Sequence, residues 1–239
     1  TAATSRSSRA WGATETSPLA TQVHYALDSA GNIGLPVPGV ELKLAPVGGK
    51  LEARVRGPNI TPGYWRAVDL SRAAFDDEGY YRTGDAIRWH DPADPRRGLV
   101  FDGRLAEDFK LTSGSWVRVG ALRLAVLAAA APLVQDAVIA GHDRDYVAAL
   151  LFVDGDVCAR AGDWRVALAD KLRAHNRAVG QPGLSVRRAI VAVEPPSIDA
   201  GEITDKGYLN QRAILQRRAD VITRLYADDD AEVLVIDLE

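Results

Sequence analysis

Gly103-Arg-Leu-Ala-Glu-Asp-Phe-Lys-Leu-Thr-Ser-Gly114 (GRLAEDFKLTSG) is the stretch where the chain changes texture, and the fold is read outward from it. Upstream, from Gly34 to Asp102, apolar and polar residues alternate. Val40, Leu42 and Leu44 interleave with Glu41 and Lys43; Leu51, Ala53 and Val55 interleave with Glu52, Arg54 and Arg56. Period two predicts strands with one buried and one wet face. Glycine and proline punctuate them at Pro36, Pro38, Gly39, Gly48, Gly49, Gly57, Pro58, Pro62 and Gly63. Short punctuated strands predict a small barrel or sandwich-like subdomain. Downstream, Leu122 to Ala131 reads as a helix ended by Pro132, and Asp136–Ala140 and Val147–Val153 read as strands. Trp164, Leu168, Leu172, His175 and Val179 recur at spacings of three and four, which predicts an amphipathic helix. Asp163 can cap it and Gly180 can end it. Arg187–Val193 reads as a strand, Tyr208–Tyr226 as a second helix and Val233–Leu238 as a last strand. The expected fold class is α+β: a β-rich body over residues 1–103, then a compact α+β body over 104–239, joined within Gly103–Asp108.

The composition sets the outer limits. The chain has 239 residues, 47% hydrophobic and 26% charged, which is ordinary for a soluble globular protein and excludes a disordered chain, a collagen or a disulfide scaffold. The longest apolar run, Leu122 to Val134, is broken by Arg123 and Pro132 and falls short of the roughly 20 residues of a membrane span. A net charge of -3 disfavours a broad nucleic-acid surface. One cysteine, Cys158, cannot form an internal disulfide, and the cytoplasm is the expected compartment. His24, His90, His142 and His175 lack metal-ligand spacing. Thr1 to Arg9 is small, polar and basic and reads as a tail. The sequence starts at Thr1 and contains no methionine, so a piece of a longer protein is expected.

Four motifs could carry chemistry. WGATE, Trp11 to Glu15, sets an aromatic, a glycine, a hydroxyl and a carboxylate on one loop; such a carboxylate can ligate Mg²⁺. YRTGD, Tyr81 to Asp85, ends in an Asp that can accept from a ribose cis-diol. Taken singly, each of these two reads better as a plain turn. The stretch from Gly103 to Gly114 offers Arg104 to a ribose or phosphate oxygen, or is only a charged linker. GEITDKGYLNQR, Gly201 to Arg212, carries Lys206, which can bridge a carboxylate and a phosphate as they approach. Its bland reading is a helix start capped by Asp205 with Lys206 solvated.

In this order and spacing the four motifs, with GLPVPG (Gly34–Gly39) and GPNITPGYW (Gly57–Trp65), resemble the last third of the adenylate-forming superfamily, the acyl-CoA ligases and their relatives. The wording of residues 101–117 and 201–212 is most similar to bacterial feruloyl-CoA synthetases. The resemblance implies the β-rich end of the large domain followed by a small mobile C-terminal domain. It implies an ATP-dependent acid–CoA ligase that forms an acyl-adenylate from an aromatic, hydroxycinnamate-type acid and passes it to coenzyme A. Thr14 would hold phosphate and Glu15 Mg²⁺. Trp11, beside Gly12, would take the adenine-stacking position, usually a tyrosine. Asp85 would clasp the ribose with help from Arg104, Lys206 would serve adenylation, and Gly114 would lie by the pantetheine tunnel.

The departures are specific. The hinge position matches Ala106 instead of Asp or Lys. The usual Gly-Lys pair is Asp205-Lys206-Gly207, with Arg212 further on. The leading SRSSRA lacks an apolar strand, and the Ser/Thr/Gly-rich phosphate loop does not occur in Thr1–Ala10. The expectation is a fragment that does not adenylate by itself, with the N-terminal lobe as a possible separate partner. The alternatives are a fatty-acid CoA ligase, a carboxylic acid reductase adenylation domain, or a non-catalytic interaction fragment.

Overall fold

The computed structural model describes residues 9–25, 31–204 and 207–236. The expected tail before Arg9, the end of the last strand, Asp205 and Lys206 lie outside them. The chain divides into two compact units, Thr1–Ala106 and Glu107–Glu239. The division falls after Ala106, not Gly103, because Arg104 still pairs with Asp85 and the Leu105 amide still donates to the Gly84 carbonyl.

The first unit is built on one sheet. Its strands are β1 (Ala10–Trp11), β2 (Thr21–Gln22), β3 (Asn32–Pro36), β4 (Glu41–Val47), β5 (Lys50–Arg56), β6 (Tyr81–Trp89) and β7 (Leu99–Arg104), with one short helix, α1 (Val68–Ala73). The order is β1-β2-β3-β7-β6-β5-β4 with every pair antiparallel. The expected barrel or sandwich-like body is one seven-stranded sheet in which, among the described residues, no hydrogen-bonded pair closes β1 on β4. Of SRSSRA only Arg9 and Ala10 lie within the described residues, and Ala10 pairs with Gln22 where β1 begins. Val47 pairs Lys50 across Gly48–Gly49, both at positive φ, the two-residue turn whose twist suits a hairpin. The apolar face packs as the alternation predicts: Ala53, Ile87 and Leu99 form one small core, and Ala20, Val55 and Tyr81 another. The other face is not simply wet. Glu52 is buried, held by the Arg54 guanidinium and the Gly84 amide. Arg54 and Lys43 also meet Asp76, whose carboxyl those cations hold well below its ordinary range.

The second unit has three layers. A small hairpin, β8 (Phe109–Lys110) with β9 (Trp116–Val117), leads into α2 (Val119–Ala130). Then come β10 (Val134–Ala140), β11 (Val147–Val153), α3 (Gly155–Arg160), α4 (Trp164–Val179), β12 (Val186–Val191), α5 (Gln211–Arg217), α6 (Ala219–Arg224) and β13 (Val233–Val235). The sheet runs β10-β11-β12-β13; only β11 and β12 are parallel, which requires the crossover that α3 and α4 supply. Alternate side chains of these strands serve two cores. Ala137, Ile139, Ala149, Leu151 and Ala189 meet Leu122, Val126, Leu168 and Leu172. Val138, Ala140, Leu150, Phe152 and Ile190 meet Ile214 and Leu225.

The local signals of α4 hold: Asp163 accepts from the Val166 amide, and Gly180 closes the helix in the left-handed region at φ 60°. α2 begins three residues before the expected Leu122, with the Val119 amide donating to Asp108 Oδ1. The expected helix over Tyr208–Tyr226 is two helices that meet at Arg218. Its cap is Asn210, which accepts from the Ala213 amide, not Asp205. Among the described residues no helix is long and apolar enough to cross a membrane.

Candidate functional site

Gly84 takes φ 69° at the bulge of β6, a conformation that glycine adopts without strain, and so sets the turn into Asp85. The Thr83 hydroxyl ties that turn down by donating to the Ala53 carbonyl at 2.6 Å and accepting from the Asp85 amide at 3.1 Å. Glu52 receives the Gly84 amide from below. The Asp85 side chain is mostly buried. Trp11 Nε1 donates to its Oδ2 at 3.0 Å, and Arg104 Nε lies 3.7 Å from its Oδ1 across the β6–β7 pair. Arg104 itself is largely exposed, so this ion pair is weak by geometry and screening.

The WGATE loop folds onto the same region. Gly12 passes so close to the Pro18 carbonyl oxygen and Thr16 Oγ1 that no side chain fits there. Thr14–Thr16 form one 3-10 turn, and the buried Thr16 hydroxyl closes it on Ala13. Asn59 Nδ2 donates to the Thr16 and Leu19 carbonyls, and the Thr61 amide donates to the Glu15 carbonyl, so the 57–65 loop clamps the turn. Thr14 is left exposed. Tyr64 donates its hydroxyl to Glu15 Oε1 at 3.0 Å. The buried Tyr81 hydroxyl stands 3.0 Å from that of Tyr64, and with the Tyr64 proton committed to Glu15, Tyr81 is the donor. Burial pushes the Tyr81 phenol up, and Tyr64, Glu15 and Asp85 add to it.

The structure thus brings Trp11, Gly12, Thr14, Glu15, Asp85 and Arg104 together in the first unit, although they are spread from residue 11 to 104. Gly114 lies in the second unit, exposed at φ 82° in the turn between β8 and β9. Lys206 lies outside the described residues; the backbone at its flanks is held, with the Gly207 amide on the Thr204 carbonyl and the Thr204 amide on the Tyr208 carbonyl. Sequence reasoning missed Tyr64, Tyr81 and Glu52. Both tyrosines stood inside quoted motifs, but their pairing spans 17 residues and no spacing rule reports it. Glu52 was assigned to the solvent face by a period-two rule that ignores what lies over that face.

Glu15 is a hard oxygen donor with one oxygen, Oε1, already oriented by Tyr64, so its other oxygen suits a cation such as Mg²⁺, which keeps most of its shell as water and phosphate.

Residues 111–230 match the family described as AMP-binding enzyme C-terminal domain. Among characterised proteins, the chain is 23% identical to probable acyl-activating enzyme 16, chloroplastic, of Arabidopsis thaliana, over 90% of this chain and 34% of that one. It is 28% identical to the carboxylic acid reductase of Segniliparus rugosus over 74% of this chain and 15% of the relative. It is also 28% identical to the long-chain-fatty-acid–CoA ligase FadD15 of Mycobacterium tuberculosis, over 82% and 34%. The chain therefore spans about a third of the relatives' length or less. Among solved structures, the A domain of the Segniliparus rugosus reductase with AMP and a co-purified carboxylic acid aligns with a TM-score of 0.68 at 27% identity, over 80% of this chain and 32% of that one. The A-PCP didomain of that enzyme with AMP aligns at 0.73 and 24% identity, over 92% and 31%, a likeness of fold. With the family match covering half of its residues, this chain belongs to the AMP-binding enzyme C-terminal domain family of the adenylate-forming superfamily.

Proposed function

We propose that this chain is the C-terminal share of an ATP-dependent acid–thiol ligase that works through an acyl-adenylate. The observation that carries the reading is the site around Asp85: a carboxylate fixed by Trp11 Nε1 and faced by Arg104, with Glu15 held nearby through Tyr64 and Tyr81. An oriented carboxylate beside an aromatic is what a ribose diol and a base require. Glu15 would hold Mg²⁺, which supplies charge neutralisation for the phosphates. The acid's oxygen attacks the α-phosphorus, the bond to pyrophosphate breaks, and the thiol then displaces AMP from the acyl carbon. Two anions meet only in the first step, so Lys206 belongs to that step. The small unit would then rotate about Ala106 to admit coenzyme A past Gly114. An aromatic acid of the feruloyl type is the substrate we favour, from the wording of residues 101–117 and 201–212.

The test is Lys206→Ala in the full natural chain. Pyrophosphate exchange dependent on the acid should fall by orders of magnitude, while transfer of a supplied acyl-adenylate to coenzyme A persists. Equal loss of both would refute the assignment. The likeness to carboxylic acid reductase A domains supports a second reading, in which the thiol acceptor is a carrier-protein pantetheine. Turnover with free coenzyme A decides between them.

A further inference from the structure

The connection from residue 192 to residue 210 joins β12 to α5 and carries Lys206. A connection of this length without regular structure needs its own anchors. Most of those in view converge on one ion pair. Glu202 is 3% exposed. Arg218 grips it with both arms of its fork, Nε to Oε1 at 2.9 Å and Nη2 to Oε2 at 2.7 Å. The same guanidinium donates to the Glu194 carbonyl at 2.9 Å and the Pro195 carbonyl at 3.0 Å, where the connection leaves the sheet. Glu202 Oε2 also receives the Ser197 amide, and the Glu202 carbonyl receives the Asn210 amide at 2.8 Å, where the connection re-enters the helices. Arg218 is itself fixed: it sits at the junction of α5 and α6, with its guanidinium over the Phe152 ring of β11.

This one pair thus ties both ends of the connection to the sheet. Directly beyond Glu202, Ile203 bridges Leu209, the Thr204 amide donates to the Tyr208 carbonyl and the Gly207 amide donates to the Thr204 carbonyl, so the described backbone on both sides of positions 205 and 206 is paired. We propose that Glu202 and Arg218 are positioning residues for Lys206: they fix the backbone that flanks it, Thr204 on one side and Gly207 to Asn210 on the other, from which the lysine serves adenylation. The proposal rests on the ligase reading above. Lysine cannot substitute, since one ammonium cannot serve two carboxylate oxygens and two carbonyls in that fork geometry.

The first test is amide hydrogen exchange on the chain itself, comparing wild type with Arg218→Lys and with Glu202→Gln. The amides of Thr204, Tyr208 and Asn210 should exchange roughly tenfold faster or more, the scale expected when a charge-assisted bond holding a local structure is lost, while the Leu150 amide of β11 is unchanged. Unchanged exchange at the three amides would overturn the anchor. The second test splits the half-reactions in the full natural chain. Arg218→Lys should lower adenylation about tenfold or more and spare transfer from a supplied acyl-adenylate, as Lys206→Ala does. A general structural defect would lower both steps and overturn the positioning role. If Lys206→Ala abolishes adenylation and Arg218→Lys leaves it intact, the positioning role fails and the ligase reading stands. If Lys206→Ala has no effect, the ligase reading fails and takes the positioning role with it.

Discussion

Replacing Glu202 by Gln keeps volume and shape but mimics the protonated carboxyl, so it isolates the charge in the pair with Arg218. Arg218, assisted by the Ser197 amide, holds the Glu202 carboxyl at about 2 against an ordinary 4.5. At about 1.36 kcal/mol per pKa unit, that gap contributes about 3 kcal/mol to the folded second unit at pH 7. The folded value is the lower one, so this stability is fully present above pH 4.5 and is lost as pH falls towards 2. Working the two titrations through, about 2 kcal/mol is gone by pH 3 and about 1 kcal/mol remains. Glu202→Gln should therefore cost about 3 kcal/mol at pH 7, and its difference from wild type should shrink by about 2 kcal/mol at pH 3. Other carboxylates also titrate there, but they are common to both proteins and cancel. The assay is urea unfolding followed by fluorine NMR of a labelled Trp164, which packs against the core under α4 and reports the second unit separately from the first. Curves that run parallel between pH 7 and pH 3, or a pH 7 difference under about 1 kcal/mol, would refute the claim that this charge is held by the fold.

Gly12→Ala should destabilise the first unit by about 1–3 kcal/mol, because its methyl would overlap the Pro18 carbonyl oxygen; thermal melting followed at Trp11 reads this, and an unchanged melting temperature contradicts the close approach. Tyr64→Phe removes the donor to Glu15 and the acceptor of Tyr81. It should cost about 1–3 kcal/mol and raise the Mg²⁺ concentration needed for half-maximal pyrophosphate exchange in the full natural chain. An unchanged Mg²⁺ dependence would mean that Tyr64 does not orient that carboxylate.

What the sequence determined by itself were the features whose causes are local. Alternation along β4 and β5 sorts apolar from polar residues onto the two faces of a pleat, and that arithmetic needs no partner. Asp163 and Gly180 delimit α4 through hydrogen bonds and a backbone angle reached within a few residues. The composition changes texture over Gly103–Gly114, the stretch in which the two units divide, and the order of four motifs carried the superfamily. Only the tertiary structure decided what depends on residues far apart. Glu52 is buried because a bulge in a neighbouring strand turns the Gly84 amide towards it. The helix expected over 208–226 is interrupted at Arg218, whose side chain meets an acid sixteen residues away, and propensity in that window carries no record of the acid. Glu15, Tyr64 and Tyr81 form one hydroxyl chain only because the 57–65 loop folds over the 3-10 turn. Short-range periodicity is set by the geometry of each element; hydrogen bonds between distant side chains are set by how the elements pack, and packing is a property of the whole unit.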